Sequence, residues 1–286
     1  MDSCSFRKYS LNLRGKFVEI DRPWVMGILN ATPDSFFLES RVMNGDAIAA
    51  RARAMVEDGA DVLDIGACST RPGAEVVTLD EEIDRLYVAV RAVREAVGNN
   101  VILSVDTFRA TVARYCVEEL GVDIVNDISG GDLDPEMHEV VAKLQVPYVV
   151  MHMRGTPATM QQLTNYDGDV AAVVLEELAH KIDILHQLGI NDVIADPGFG
   201  FSKTVEQNYR LLSCLDAFHA LDVPLLVGVS RKSMIQKVLN CTAQDALNGT
   251  TVLNTIAFMK GAHIVRVHDV KAAVEARTLV SLTRNQ

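Results

Sequence analysis

Short apolar runs rich in β-branched residues recur along the chain, each followed by a polar or glycine-bearing loop and then by apolar residues at three- and four-residue spacing. The runs Trp24–Asn30, Val62–Gly66, Val101–Asp106, Asp123–Asp127, Tyr148–His152, Val193–Asp196, Leu225–Ser230 and Ile264–His268 read as strands. They are almost continuously hydrophobic, as parallel strands covered on both faces are. The stretches between them read as helices. Asp46 has the character of an N-cap, with Ile48, Ala52, Met55 and Val56 on one face and Gly59 as the stop. Thr78 and Glu81 stand at capping-box spacing ahead of Ile83, Leu86, Val90, Val93 and Val97. Pro135 behind Asp134 suits a first helical position. Val170, Val173, Val174, Leu178, Ile182 and Leu185 form a further stripe that ends at Gly189, and Thr204 with Gln207 repeats the capping-box spacing. Ala243–Lys260 and Val270–Leu282, the latter behind Asp269, supply the last two helices.

Alternation of this kind predicts an α/β protein, and a closed (β/α)8 barrel rather than an open doubly wound sheet. Phe6–Ile20 alternates around Arg14-Gly15 and predicts a β-hairpin at the bottom of the barrel. No linker-like stretch interrupts the chain. We therefore expect one domain over 1–286, with the hairpin in 1–22 and the barrel in 23–286.

Composition narrows the partners. A hydrophobic fraction of 49% and a net charge of −11 describe a chain that buries a full core and stays in solution. Its basic residues are scattered, which excludes a nucleic-acid surface. No run of about 18 apolar residues could span a membrane. The segment Met1–Phe17 has no apolar stretch of signal-peptide type, so the expected location is cytoplasmic. Cys4, Cys68, Cys116, Cys214 and Cys241 follow neither a metal-ligand nor a disulfide spacing and read as reduced thiols.

The chemistry gathers at the strand ends, where βα-loops of a barrel converge. In order they are Asn30, the Cys68–Gly73 loop, Asp106, Asn126-Asp127, Met151-His152, Asp196, Ser230-Arg231-Lys232 and Arg266-Val267-His268. Burying so many polar groups on one rim is costly unless they pair or serve a ligand. Asp106, Asn126 and Asp196 suit a heterocycle rich in N–H donors, and Lys232 suits its carbonyl. Asn30, Arg266 and His268 come from adjoining strands and can converge on an anion with Arg71. Each has a plainer reading: an Asp or Asn at a strand end is often a cap, Arg71 or Lys232 can be solvated, and His268 can pair with Asp269. Asp127 and Asp269 read as caps. The functional reading rests on the combination.

These residues resemble the signatures of the dihydropteroate synthases. The stretches are Met26–Phe36, Asp64–Gly73, Ser104–Thr107, Asn126–Gly130, Asp196–Phe201, Ser230–Lys232 and Arg266–Asp269, in the family's order and across nearly the whole chain. The resemblance implies a transferase of folate biosynthesis, a sulfonamide target, that condenses 6-hydroxymethyl-7,8-dihydropterin diphosphate with p-aminobenzoate. It implies a pterin site of Asp106, Asn126, Met151, Asp196, Gly228 and Lys232. Asn30, Thr70, Arg71, Arg266 and His268 would hold the diphosphate, with Mg2+ completed by Asn30. Phe36, Thr70, Pro72, Phe201, Ser230 and Lys232 would line the p-aminobenzoate pocket. Asp106, Asp196, Lys232 and Asn30 would be catalytic, and no Ser or Cys nucleophile is expected.

The segments Thr32–Arg41 and Ser69–Glu75 are expected to be closing loops. One departure from the pattern is Phe37-Leu38-Glu39-Ser40-Arg41, where many relatives carry Ser-Asp-Gly-Gly. Two rival readings share the pterin set. A cobalamin-linked methyltransferase barrel would need no diphosphate grip, and a catalytically silent paralogue would bind pterin without turnover. The resemblance also implies a homodimer, for which Val252, Leu253, Ile256 and Met259 offer surplus apolar surface.

Overall fold

The computed structural model describes residues 6–31, 38–68 and 77–284. Among them, parallel strands β3 (Trp24–Asn30), β4 (Val62–Gly66), β5 (Ile102–Asp106), β6 (Ile124–Asp127), β7 (Tyr148–Met151), β8 (Val193–Asp196), β9 (Leu226–Val227) and β10 (Ile264–Val267) form one sheet in the order β8-β7-β6-β5-β4-β3-β10-β9. A parallel bridge from Ala195 to Leu225 joins its two ends, which makes the (β/α)8 barrel. The hairpin β1 (Tyr9–Leu13) and β2 (Lys16–Ile20) turns at Arg14 and Gly15, both at positive φ, and pairs Tyr9 with Ile20.

The strands alternate strictly between two apolar compartments. Val25, Leu63, Ile65, Leu103, Val105, Val125, Val150, Ala195, Val227 and Val265 pack outward against helices. Trp24, Met26, Val62, Ile124, Val149, Ile194, Leu226 and Ile264 point into the barrel and meet Leu11, Leu13 and Ile20 of the hairpin. The hairpin thus plugs the bottom, and the period of two determines what the top must be.

The outer layer comprises α1 (Leu38–Glu57), α2 (Leu79–Val97), α3 (Ala110–Glu118), α4 (Met137–Leu144), α5 (Val170–Gln187), α6 (Val205–Ser213), α7 (Ser233–Leu239), α8 (Leu247–Met259) and α9 (Val270–Arg284). Thr204 and Gln207 form the reciprocal capping box expected of them. Thr78 caps Glu81 N, but the Glu81 carboxylate goes to Arg85 instead of back to the cap. Asp46 is not an N-cap. Helix α1 starts at Leu38, because Leu38-Glu39-Ser40-Arg41-Val42-Met43 holds no breaker, and Asp46 lies inside the helix on its exposed side. Leu38–Arg41, expected in a loop, therefore belong to that helix. Asp134 accepts from Ala110 N and Glu136 N, which delays α4 to Met137, two residues beyond Pro135. A Thr242–Asp245 turn likewise delays the helix expected from Ala243, and α8 begins at Leu247.

Candidate active site

Two residues beyond the inward apolar side chains of six strands, the same face carries a polar group, a glycine or, in β7, a methionine. Val62 leads to Asp64, Ile124 to Asn126, Val149 to Met151, Ile194 to Asp196, Leu226 to Gly228 and Ile264 to Arg266. Asp106 lies one step higher on β5 and is Cα partner to both Gly66 and Asn126. Strand registry therefore places the expected pterin set on one interior surface. At Gly228 a Cβ would come within 3.7 Å of Lys232 Nζ and 3.9 Å of Arg266 Cβ, so this glycine keeps the surface open.

The centre is a charge network. Arg266 Nε donates to Asp64 Oδ2 and its Nη2 to Asp106 Oδ2, both at 2.6 Å, while Asn126 Nδ2 donates to the same Asp64 oxygen at 3.0 Å. Burial acts against the Arg266 charge, but the Asp64 and Asp106 carboxylates outweigh it and raise its pKa. Burial also raises the Asp106 carboxyl, with Arg266 opposing. Asp196 is raised by burial and held back by Lys232, and its Oδ1 accepts from Gly198 N at 2.7 Å. Burial presses the Lys232 ammonium down to about 8, with Asp196 opposing. Lys232 donates to Phe199 O and lies 4.8 Å from the centroid of the Phe201 ring.

Several atoms of this surface have no partner among the described residues: Asp106 Oδ1, Asp196 Oδ2 and the Asn126 carbonyl oxygen. Three acceptors on one barrel surface beside the half-buried Lys232 ammonium complement a flat heterocycle with N–H donors and a carbonyl. Ile128, Met151, Met153 and Met160, with Phe108 and Phe201 against them, supply an apolar wall alongside.

At the anion end the structure divides residues that the sequence grouped together. Arg266 lies with the carboxylates, and its Nη1 alone has no partner among the described residues. His268 pairs instead with Ser230, whose hydroxyl lies 3.0 Å from Nδ1 and accepts from the His268 backbone at 3.2 Å. The Ser230 hydroxyl, expected at p-aminobenzoate, is thus spent on tying β10 to the segment after β9. Asn30 is exposed at the end of β3, and its side chain makes no hydrogen bond with the described residues. Phe36, Thr70, Arg71 and Pro72 lie outside the described residues, as do 32–37 of the first expected loop and the whole of the second, 69–75. Asp127 and Asp269 are structural, as expected: Asp127 takes four donors and Asp269 both ends of the Arg231 guanidinium.

Sequence reasoning passed over two buried charges. Asp64 is fully buried and holds both Asn126 and Arg266. Its signal was a lone carboxylate inside an otherwise apolar strand. Lys203, 3% exposed, lies behind the turn that carries Asp196 and Phe201, and its sequence context looked like an ordinary helix approach.

Residues 26–268 match the family described as pterin binding enzyme. A dihydropteroate synthase of Synechocystis is 43% identical over 257 residues, covering 89% of this chain and 88% of that protein. Among solved structures, a Xanthomonas albilineans dihydropteroate synthase with 4-aminobenzoic acid superposes with a TM-score of 0.88 at 36% identity, covering 98% of this chain and all of the other. A Yersinia pestis dihydropteroate synthase in complex with a sulfonamide drug gives 0.87 at 39% identity, with 97% and 100% covered. The two rival readings find no support in these relatives. The chain belongs to the pterin binding enzymes and, within them, to the dihydropteroate synthases.

Proposed function

We propose that the interior surface at the strand ends performs the family's reaction with the residue roles set out below. The enzyme is a dihydropteroate synthase: it condenses 6-hydroxymethyl-7,8-dihydropterin diphosphate with p-aminobenzoate to give 7,8-dihydropteroate and diphosphate. What carries the assignment to this surface is the trio of acceptors with no partner among the described residues, Asp106 Oδ1, Asp196 Oδ2 and Asn126 Oδ1, beside the Lys232 ammonium. The pterin N–H groups go to these acceptors, its carbonyl goes to Lys232, and Met151 and Gly228 bound its plane.

The chemistry follows from where the charge lies. Breaking the C–O bond sends the electron pair to the diphosphate and leaves positive charge on the pterin methylene, delocalised into the ring. Asp106 and Asp196 stabilise that charge as it develops, in a water-poor surface where such interactions are strong. Arg266 Nη1, His268 and Asn30 face the departing diphosphate, with Thr70 and Arg71 assigned to the same anion. The arylamine nitrogen then bonds to the methylene carbon and loses a proton. Phe201, Phe36, Thr70, Pro72 and Lys232 are assigned to its pocket, where Ser230, its hydroxyl taken by His268, contributes by packing alone. No covalent enzyme intermediate is needed. Cys68 is unsuited to form one, since burial, seconded by Glu82, pushes its thiol up to about 12.

The single side-chain oxygen of Asn30 fits a hard cation that keeps most of its ligands as water and phosphate oxygens. Among the described residues no group of three His, Cys, Asp or Glu could hold a metal, so any Mg2+ here would depend on Asn30 and the diphosphate itself. When bound, it would offset charge on the leaving group. We also assign the enzyme to the cytoplasm and to a homodimer. The exposed Val252, Ile256 and Met259 of α8 with Leu279 and Leu282 of α9 support the dimer, whereas Leu253, expected in the same face, packs into the core.

The test mixes purified protein with the pterin diphosphate, p-aminobenzoate and Mg2+. Diphosphate and dihydropteroate should appear in equal amounts, only with the amine present. Pterin binding without product would overturn the reading in favour of a silent paralogue.

A further inference from the structure

Behind the turn 197–202 a chain of polar groups runs from buried Lys203 and His152 out to the partly exposed Glu177 and Arg154, and the reaction as described does not use it. Lys203 Nζ has three acceptors: His152 Nδ1 at 3.0 Å, Gly198 O at 3.0 Å and Phe201 O at 3.1 Å. An ammonium carries three N–H donors, so this set satisfies a charged lysine completely. His152 Nδ1 is then an acceptor and its proton sits on Nε2, which donates to Glu177 Oε2 at 2.7 Å. Burial presses the His152 imidazole down to about 4, consistent with the neutral ring. Glu177 on α5 is held in turn by Arg154, whose guanidinium lies 4.1 Å over the Tyr166 ring. Each partner is satisfied in one protonation state, which is the condition under which a buried polar network rigidifies its surroundings.

The turn fastened this way presents two groups assigned to the substrates, Asp196 and Phe201, and braces a third, Lys232. Its first end is Asp196, whose backbone oxygen accepts from His152 N at 3.0 Å. In its middle, Phe199 O accepts from Lys232. Phe201, at its far end, lies under the Lys232 ammonium. Gly198 takes a φ of +73°, and a Cβ there would sit 1.9 Å from His152 O, so only glycine allows the turn to approach the β7 end this closely. We propose that Lys203 is a positioning residue for the condensation: by closing the carbonyls of Gly198 and Phe201 around its ammonium, it sets Asp196 against the pterin and Phe201 against the p-aminobenzoate. This rests on the substrate assignment of Asp196 and Phe201 made above.

The charged groups facing Lys203 are Asp196 from β8, Lys232 ahead of α7, Glu177 from α5 and Arg154 from the segment after β7, with neutral His152 in contact. Burial presses Lys203 down to about 7, and Asp196 and Glu177 oppose this. In the other direction, the Lys203 charge lowers the carboxyl of Asp196. Removing that charge should raise the Asp196 pKa further. The ionised form would then be lost at higher pH, so the acid limb of the rate profile should move up.

Wild-type turnover is measured first; its absence would count against the substrate assignment rather than against Lys203. Lys203→Met should then lower kcat/KM for both substrates, on the order of 100-fold from lost orientation. Its acid limb should rise by about half to one pH unit. Lys203→Arg keeps a charge and should bring the acid limb back even where the larger head group leaves kcat low. A folded Lys203→Met enzyme with both constants within about twofold of wild type and an unmoved limb would overturn the proposal. Should Lys203→Met fail to fold, Glu177→Gln decides the matter. It touches no substrate, and it should shift kcat/KM and the limb in the same directions by a smaller amount. Unchanged values there would equally overturn it.

Discussion

Asp106 and Asp127 end neighbouring strands, and desolvation pushes both carboxyls toward higher pKa, although Asp127 is fully buried and Asp106 keeps 14% of its side chain exposed. Their surroundings are nonetheless opposite. Asp127 faces outward into the helix layer and accepts from Ser129 N, Ser129 Oγ, Gly131 N and Tyr148 Oη at 2.7–2.8 Å. Asp106 faces inward and has one partner among the described residues, Arg266, on one oxygen. The first carboxylate is finished by the protein. The second is left half-satisfied, and a group in that condition is stable only if a ligand or water completes it. What separates function from structure here is the number of donors already present, together with the opening that leaves part of Asp106 accessible, and not residue type.

The largest effect that would break this comparison is on Asp106. Asp106→Asn keeps the shape and one acceptor but removes the charge that faces the developing cation. Turnover should fall by about 10³-fold or more while circular dichroism and the melting temperature stay near wild type. Near-normal activity would remove Asp106 from the reaction. The pH profile sharpens the same point. A raised carboxyl pKa means the ionised form is lost as pH falls, so kcat/KM for the pterin diphosphate should decline on the acid side earlier than an ordinary Asp would allow.

Arg266 comes next. Arg266→Ala strips Asp106 and Asp64 of their cation and removes Nη1 from the anion end. Binding of the pterin diphosphate, followed by calorimetry, should weaken about 10- to 100-fold more than binding of free pterin. Equal losses for the two ligands would make Arg266 a brace for the carboxylates and nothing more.

Asp127→Asn should show the mirror image of Asp106→Asn. The amide must point its NH2 either at Gly131 N and Tyr148 Oη, which share Oδ2, or at Ser129 N and Oγ, which share Oδ1, leaving buried donors opposed. We expect a loss of about 2–3 kcal/mol in stability, read as a melting temperature lowered by several degrees. Activity below that temperature should stay within a few-fold of wild type. An inactive but stably folded Asp127→Asn would dissolve the distinction between the two carboxylates.

Much of this was legible in the sequence because strand ends and barrel topology are strongly encoded. Trp24–Asn30, Val62–Gly66 and Val193–Asp196 match the observed strands residue for residue. The resemblance supplied the pterin set, and the period of two, applied to each strand, explains why Asn126 points in and Asp127 out. The same rule would have found Asp64, two residues beyond Val62, had an apolar strand not seemed the whole story. Three features were not legible, each for its own reason. The pairing of Ser230 with His268 and the threefold seat of Lys203 join residues 38 and 51 positions apart, and no local pattern records such distances. The start of α1 at Leu38 was hidden because Asp46 looks like a cap wherever it stands, and a helix already under way does not use one.

The smallest expected effect belongs to Cys68, where a nucleophile would lie if the chemistry were covalent. Its thiol is half-buried beside Glu82, a buried carboxylate that also accepts from Thr107 Oγ1 at 2.7 Å and from Arg109. Both burial and that carboxylate disfavour the thiolate, which is the reactive form. Cys68→Ser keeps a donor for Glu82 and changes the volume by little. The rate should therefore stay within about threefold of wild type, and wild-type enzyme at neutral pH should react with iodoacetamide at Cys68 far more slowly than an exposed thiol does. Complete inactivation of a folded Cys68→Ser enzyme would restore a thiol mechanism. It would also mean that a satisfied, charge-disfavoured group can outrank an unsatisfied one such as Asp106, which is the outcome the donor count forbids.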